Sequence, residues 1–310
     1  MGGRRPHRRV AVAWHCGAVS APDLPDPTAF ERPRTTTSAD GTELAVYDAG
    51  GSGPDLLLAH ATGFCAGVWQ PLVERLAGHR VAALDIRGHG RSGAPDVMDW
   101  EGTGEDVLAA VDALGLHQPV GVGHSMGGAS LLMAELRRPG TFRALWLFEP
   151  IVFPPDFAPP GGGGPNPLVE GARRRRDTFE SSDAALANFS AKPPLNELHP
   201  HCLAAYVRDG FAELEDGTVT LRCRPAFEAS TYEAGQSHRT WSHLDQVTCP
   251  VNVVRGRMFP GPAMLAPGIA ERLPDGRLEV HDDQGHFGPL ADLDDTAASI
   301  RGVTGVAAGS

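Results

Sequence analysis

The stretch that most constrains this fold is Pro119-Val-Gly-Val-Gly-His-Ser-Met-Gly-Gly128, near the middle of the 310-residue chain. A short apolar run leads into it and an Ala/Leu-rich segment follows, which predicts a buried strand joined directly to a helix. Ser125 then lies on a turn so tight that the positions two residues away on either side have almost no room for a side chain, and both are glycine. Such a turn suits a nucleophile, and an ordinary helix-capping serine is the alternative.

Composition narrows the class of protein. The chain is 41% hydrophobic, which is typical of a globular protein, and its length suits one large domain with an insertion or two modest domains. The net charge of −11 argues against nucleic acid as a partner. Its one basic run, Arg173-Arg-Arg-Arg176, is interpreted as a solvated helix face. No apolar run reaches the roughly 18 residues that a membrane span needs.

The cysteines and the N-terminal residues give indications of the cellular compartment. Five cysteines are scattered without a C-x-x-C pair, so neither a disulfide framework nor a zinc site is predicted, and a reducing cytoplasm is favoured. Residues 1–21 combine arginines with a short apolar run and imitate a signal peptide. We interpret residues 1–27 as a disordered or miscalled leader, with secretion as the minority alternative.

Short apolar strands alternate with helical patterns over residues 28–150 and again over residues 241–310. An Asp-Gly pair at 40–41 between two strand-like runs predicts a hairpin. This alternation predicts an α/β fold with a mostly parallel central sheet and helices on both faces. The predicted strands after the hairpin are residues 56–59, 81–85, 120–122, 144–148, 251–254 and 277–280, and the predicted helices are residues 68–77, 105–114 and 294–300.

Residues 151–240 interrupt the pattern. A proline- and glycine-rich loop at 153–167 is followed by helical patterns at 168–179, 184–189 and 201–211, with no buried strand run. We interpret this segment as a helical cap inserted between the two parts of the sheet-forming domain. Its aromatic residues indicate a hydrophobic substrate or the small core of the cap itself, and they are Phe153, Phe157, Phe179, Phe189, Tyr206, Phe211, Phe227 and Tyr232.

Four motifs, each at the end of a predicted strand, resemble those of the α/β-hydrolase superfamily, in its serine-nucleophile members with a helical cap. They are His60-Ala-Thr-Gly-Phe64, Asp85-Ile-Arg-Gly-His-Gly-Arg-Ser92, Gly123-His-Ser-Met-Gly127 and Gly285-His-Phe287. The resemblance covers about residues 33–305. It implies that Ser125 is the nucleophile and His286 its base, in the family's chain order.

The other histidines receive no catalytic role. His60, His89 and His124 belong to the turns of the other motifs. His199-Pro-His201 looks like half a metal site, but a polar cap surface is the favoured interpretation. No metal or organic cofactor is expected, because no phosphate-cradling loop or ligand cluster is present in the sequence.

The third member of the triad departs from the common family pattern. Most members carry an Asp after the strand equivalent to residues 251–254, where this chain has Arg255-Gly-Arg-Met-Phe-Pro-Gly-Pro262 and no carboxylate. Some members take the acid from the end of the preceding strand, which here is Glu149. The alternatives are Asp282 or Asp283, or else a water molecule or a backbone carbonyl.

The resemblance also implies an oxyanion hole. Its two donors would be the backbone N–H groups of Met126 and Thr62. Ala61 stands where the family usually has glycine.

The expected activity is hydrolysis of a small hydrophobic carboxylic ester, lactone or thioester through an acyl-enzyme. C–C bond hydrolysis and perhydrolysis by a cofactor-free haloperoxidase of the same fold are alternatives. So is a ligand-binding protein of low or no activity, which the missing carboxylate after residue 254 favours. The expected partner is a small-molecule substrate, and the oligomeric state is left open.

Overall fold

An eight-stranded sheet forms the centre of the computed structural model, which describes residue 30 and residues 32–157, 166–258 and 261–306. Its strands lie in the order β1-β2-β4-β3-β5-β6-β10-β11. The first two pairings are antiparallel and the others are parallel, which confirms the mostly parallel sheet. The strands are β1 (Arg34–Thr37), β2 (Glu43–Gly50), β3 (Asp55–Ala59), β4 (Arg80–Leu84), β5 (Val120–His124), β6 (Ala144–Phe148), β10 (Val251–Arg255) and β11 (Gly276–Val280).

Helices cover both faces of this sheet. In β3, Leu56 and Leu58 belong to one apolar cluster and Leu57 and Ala59 to another, because successive side chains of a strand point to opposite faces. The first cluster includes residues of α1 (Gln70–Val73) and α10 (Leu293–Thr304). The second includes residues of α2 (Trp100–Leu114), α3 (Met126–Arg137) and α8 (Ala266–Arg272). The short α9 (Gly288–Ala291) precedes α10.

Local predictions for this part of the chain are mostly confirmed. The hairpin forms as β1 and β2, which pair antiparallel with Gly41 at φ +91° in the connection. The helix predicted over residues 68–77 is present as three consecutive helical segments. These are a 3-10 helix (Ala66–Trp69), the one-turn α1 and a second 3-10 helix (Glu74–Leu76).

The described part of residues 151–240, hereafter the inserted segment, contains α4 (Pro167–Arg173), α5 (Ser182–Ser190), α6 (Pro200–Gly210) and α7 (Pro225–Ala234). The helices predicted at 184–189 and 201–211 are confirmed as α5 and α6. The one predicted over 168–179 already ends at Arg173, and α7 lies outside the three predicted patterns. The prediction of no strand in this segment is wrong, since β7 (Thr178–Phe179), β8 (Phe211–Glu213) and β9 (Val219–Leu221) form an antiparallel sheet in the order β7-β9-β8. Strands of two or three residues are too short to show an alternating pattern. The helices predicted over residues 168–179 and 201–211 therefore extend into β7 at Phe179 and β8 at Phe211.

Two predictions fall outside the described residues: the leader at 1–27 and most of the glycine-rich part of the loop at 153–167. Within the described ranges, none of the helices combines the length and the apolar character that crossing a bilayer requires.

A histidine between two carboxylates ties the edge strand β11 to α10. His281 contacts Glu279 Oε1 through Nε2 at 2.7 Å and Asp295 Oδ2 through Nδ1 at 2.6 Å. Burial by itself lowers the pKa of His281, but the hydrogen bond to Glu279 and the charge of Asp295 outweigh it, so the pKa is raised. Burial raises the pKa of Glu279, but hydrogen bonds from Asn252, Ser299 and His281 leave it lowered.

This cluster predicts a pH-dependent contribution to stability. A raised folded-state pKa on His281 gives stability that is complete below the unfolded value of about 6.5 and is lost as pH rises through the folded value. We therefore expect His281→Gln to lower the free energy of unfolding more at pH 5.5 than at pH 9, in urea titrations at both values. His117→Gln, at an exposed position, is the control and should show no such difference. An equal loss at both pH values would contradict the prediction.

Candidate active site

Ser125 lies on a kinked backbone between β5 and α3. Its φ of +55° and ψ of −113° are rare for a residue with a side chain, and such strain costs on the order of 1–3 kcal/mol. The surrounding chain holds it there. The Ser125 N–H donates to the Phe148 carbonyl at 2.9 Å, and the Ile151 N–H donates to the Ser125 carbonyl at 3.2 Å. The serine is therefore placed at the carboxyl end of the sheet, as its motif predicts.

Glycine permits the close approach of this turn to its neighbours. A methyl group on Gly123 would lie 2.6 Å from the Gly128 Cα, and one on Gly127 would overlap the Ala59 carbonyl and lie 2.8 Å from the carbonyl oxygen of His60. Real side chains do not approach so closely. The start of α3 thus packs directly on the end of β3, which brings the loop after β3 beside Ser125.

Glu149 and His286 lie in direct contact. His286 Nδ1 is 2.6 Å from Glu149 Oε2, and the Glu149 side chain is only 2% exposed. Glu149 follows β6 with φ +46°, a conformation fixed by its N–H, which donates to the Val254 carbonyl at 2.8 Å. With Nδ1–H donated to the carboxylate, Nε2 of His286 carries the lone pair, and this is the tautomer that accepts a proton.

The loop after β10 contributes a backbone group to this contact. The Gly256 N–H donates to the second oxygen of Glu149, Oε1, at 2.8 Å. Asp282, one of the alternative acids, instead pairs with Arg255 at 2.8 Å and is 73% exposed. Asp283, the other alternative, is also exposed. The structure therefore brings Glu149 to His286, while the Asp282 carboxylate lies on Arg255.

His124 supports the loop of His286, a role that sequence reasoning missed. Its Nε2–H donates to the His286 carbonyl at 2.8 Å, and the two ring centroids lie 4.8 Å apart. Burial holds the pKa of His124 well below its usual range, so the ring is uncharged. The position of His124 directly before Ser125 in the motif is the sequence signal that points to this role.

Thr62 and Met126 meet across the site. The Thr62 hydroxyl lies 3.5 Å from the Met126 sulfur, and both residues are buried. Thr62 is the second residue of a turn closed by the Phe64 N–H, which donates to the Ala61 carbonyl at 3.2 Å, with Gly63 at φ +81°. We call residues 61–64 the oxyanion loop, after the role that the family resemblance implies for Thr62. Helix α3 begins at Met126, so its first N–H groups have no intrahelical partner.

The remaining motif residues brace these loops. His60 donates from Nδ1 to the Ala61 carbonyl at 2.8 Å and accepts the Ile86 N–H on Nε2 at 3.0 Å, which joins the loops after β3 and β4. Burial lowers the pKa of His60 to about 4, so the ring is neutral. Asp85 accepts hydrogen bonds from the Tyr47 hydroxyl and the Ala66 N–H, both at 2.7 Å.

The inserted segment adds aromatic side chains of two kinds. One group is the segment's own core, with ring centroids 5.4–6.0 Å apart, and consists of Phe179, Phe189, Tyr206 and Phe211. Phe153, Phe157 and Phe227 are half-buried and pack against the cluster that contains Met126. His199 caps α6 by accepting the His201 N–H on Nδ1 at 3.2 Å, which gives this His-Pro-His stretch a structural role.

A model of the alpha/beta hydrolase family matches residues 56–299. The pimeloyl-[acyl-carrier protein] methyl ester esterase of Aromatoleum aromaticum is 31% identical over 266 residues, which span 81% of this chain and 98% of the esterase. The non-heme haloperoxidase of Rhodococcus erythropolis is 39% identical over 100 residues, and the alignment spans 31% of this chain and 35% of that protein. Two further relatives are likewise aligned over only 42% of their length.

Solved structures share the architecture. The crystal structure of E-2-(acetamidomethylene)succinate hydrolase superimposes with a TM-score of 0.72. The superposition covers 89% of this chain and 99% of that chain at 21% sequence identity, a level at which the likeness concerns the fold alone.

The close approach at Gly127 generates a prediction. Gly127→Ala places a methyl group against the Ala59 carbonyl, and such overpacking costs about 1–3 kcal/mol. We expect urea titration to show a loss of this size in the free energy of unfolding. Gly171→Ala, in α4 with open space around the new methyl group, is the matched control and should be neutral or stabilising by up to about 1 kcal/mol. Equal stabilities for the two variants would contradict the packing described here.

Proposed function

Because the chain belongs to the alpha/beta hydrolase family, we propose that it cleaves a small hydrophobic carboxylic ester through an acyl-enzyme on Ser125. It is an enzyme of the hydrolase class. The observation that carries the proposal is the 2.6 Å contact between His286 and the buried Glu149. It is joined to the strained turn at Ser125 by His124, the preceding residue, whose ring bonds to the His286 carbonyl. A lactone or a thioester would enter the same chemistry, because each presents an acyl carbon with an oxygen or sulfur leaving group.

The first half of the reaction forms the acyl-enzyme. His286 Nε2 takes the proton of the Ser125 hydroxyl as its oxygen attacks the acyl carbon. The Glu149 carboxylate holds the ring by Nδ1–H and stabilises the imidazolium that forms. The tetrahedral intermediate then collapses, the bond to the leaving oxygen breaks, and His286 donates its proton to the departing alcohol.

The negative charge of the intermediate needs donors placed before the reaction. We assign them to the backbone N–H groups of Thr62 and Met126, and the 3.5 Å contact between the side chains of these two residues supports the assignment. In the second half, His286 activates a water molecule that attacks the acyl-enzyme, releasing the acid and restoring Ser125.

We propose that the inserted segment acts as the cap over this site and determines substrate choice. Its half-buried Phe153, Phe157 and Phe227 pack against the apolar cluster that contains Met126, in support of a hydrophobic acyl or ring-bearing group. The four cysteines in the described part of the chain are free and buried, in keeping with a reducing cytoplasm as the compartment.

Perhydrolysis is the second candidate, favoured by the similarity to a non-heme haloperoxidase. Hydrogen peroxide would replace water in the second half of the reaction, so that attack on the acyl-enzyme releases a peracid and restores Ser125. The same acyl-enzyme serves both reactions, and the competition between water and peroxide decides which product forms.

The proposed reaction predicts that activity and covalent labelling both depend on Ser125. We expect p-nitrophenyl esters of increasing chain length to be hydrolysed, and a fluorophosphonate probe to label the protein at Ser125. A lactone, a diketone, and acetate with hydrogen peroxide are run beside them. Ser125→Ala should abolish turnover and labelling alike. Turnover that survives in Ser125→Ala would exclude the acyl-enzyme, and an unlabelled, inactive wild type would indicate a binding protein.

The assignment of the acid predicts a large difference between two carboxylates. Glu149→Gln removes the charge that orients His286 and should lower kcat by about 10⁴-fold, the cost of losing the acid of such a triad. Asp282→Asn is the matched control, because its carboxylate lies on Arg255 and is largely exposed. Steady-state kinetics with one ester suffices. A near-normal kcat for Glu149→Gln, or a comparable loss in Asp282→Asn, would contradict the assignment.

A further inference from the structure

A buried ion pair joins three parts of the inserted segment. Arg175, just after α4, donates from Nη1 to Glu228 Oε2 on α7 at 2.8 Å and from Nη2 to the Tyr206 hydroxyl on α6 at 2.5 Å. The Glu228 side chain is 7% exposed and that of Arg175 19%. The prediction that Arg173–Arg176 form a solvated helix face is therefore wrong for Arg175, because α4 ends at Arg173.

The pair lies directly on the oxyanion loop. A methyl group built on Gly63 would be 2.8 Å from Glu228 Oε1 and 3.5 Å from Arg175 Nη1. Gly63 follows Thr62, whose N–H we assign to the oxyanion hole. The carboxylate of Glu228 thus packs against the backbone of the turn that orients this donor.

The neighbouring residue of α7 makes the equivalent contact with the next loop of the sheet. The Phe227 ring occupies the space that a side chain on Gly88 would need. Two consecutive residues of α7 therefore pack on two glycines, one in the loop after β3 and one in the loop after β4. This double contact fixes where α7 lies over the oxyanion loop.

The negative charge of Glu228 beside the oxyanion loop needs to be neutralised by Arg175. An unpaired carboxylate beside Gly63 would oppose the negative charge that develops at the neighbouring N–H groups, and poor solvation strengthens such an interaction. A buried carboxylate without a partner is also unfavourable and would move toward water. Arg175 removes both difficulties by cancelling the charge where it lies.

We propose that Arg175 and Glu228 are positioning residues for the reaction: as a pair they hold α7 on Gly63 and keep the oxyanion loop in place without a net negative charge beside it. The proposal rests on the acyl transfer at Ser125 proposed above. Neither residue needs to touch the substrate. Their effect should therefore fall on kcat more than on KM.

The experiment compares this pair with an exposed pair that joins the same two helices. Arg173 of α4 pairs with Glu233 of α7, with side chains 52% and 47% exposed. We would prepare Arg175→Gln, Glu228→Gln and the double variant, with Arg173→Gln and Glu233→Gln as controls. The measurements are kcat and KM with p-nitrophenyl butyrate, and the unfolding midpoint of each protein.

We expect Arg175→Gln to lower kcat by about 10- to 100-fold, less than the loss of an oxyanion donor itself, with KM changed far less. The double variant should recover part of that loss, because the uncompensated charge is gone, while Glu228→Gln should lose less than Arg175→Gln. The exposed controls should behave as wild type.

Three outcomes would overturn the proposal. They are a wild-type kcat in Arg175→Gln, a loss that appears only in KM, and a double variant no more active than Arg175→Gln. Should Arg175→Gln fail to fold, the neutral double variant must still show a lower kcat than Glu228→Gln. Wild-type activity that persists in Ser125→Ala would overturn the proposed function and this proposal together, whereas a normal Arg175→Gln with an inactive Ser125→Ala overturns this proposal alone.

Discussion

The close packing of the start of α3 on the end of β3 is the contact on which the site depends. It is possible because Gly127 has no side chain to meet the Ala59 carbonyl, and because Gly123 leaves room for the Gly128 Cα. The same contact holds Ser125 in its strained conformation and brings the loop after β3 to the first N–H groups of α3. A looser packing would move Ser125 away from residues 61–64, since this one junction positions both.

The contact between Glu149 and His286 joins the loops that follow β6 and β11. Glu149 has a φ of +46°, which is rare for a residue with a side chain. The loop after β10 also takes part, since the Gly256 N–H binds the other carboxylate oxygen. Both oxygens of Glu149 are thus hydrogen-bonded. A carboxylate that accepts a hydrogen bond on each oxygen orients a histidine more firmly than a carboxylate bound only by the histidine ring.

The sheet and its flanking helices could be predicted from the sequence, because strand periodicity reports directly on position. For Glu149 the sequence offered only the family resemblance, which left Asp282 and Asp283 as alternatives, and the fold was needed to show which carboxylate meets His286. The strands of the inserted segment could not be predicted, since two or three residues carry no period. The prediction that Arg175 is solvated is wrong because a run of four arginines does not indicate which of them is buried. Its burial is decided by where α4 ends and by Glu228, which lies more than fifty residues further along the chain.

Four histidines lie close together around Ser125, and burial affects three of them strongly. Burial lowers the pKa of His60 and His89 to about 4 and that of His124 well below its usual range, so three histidines near Ser125 are uncharged at neutral pH. They brace loops through hydrogen bonds to backbone groups. His286 differs in its partner, because its Nδ1 lies 2.6 Å from the buried Glu149 carboxylate rather than on a backbone group. The three motif histidines and His286 are therefore distinguished by what their rings contact.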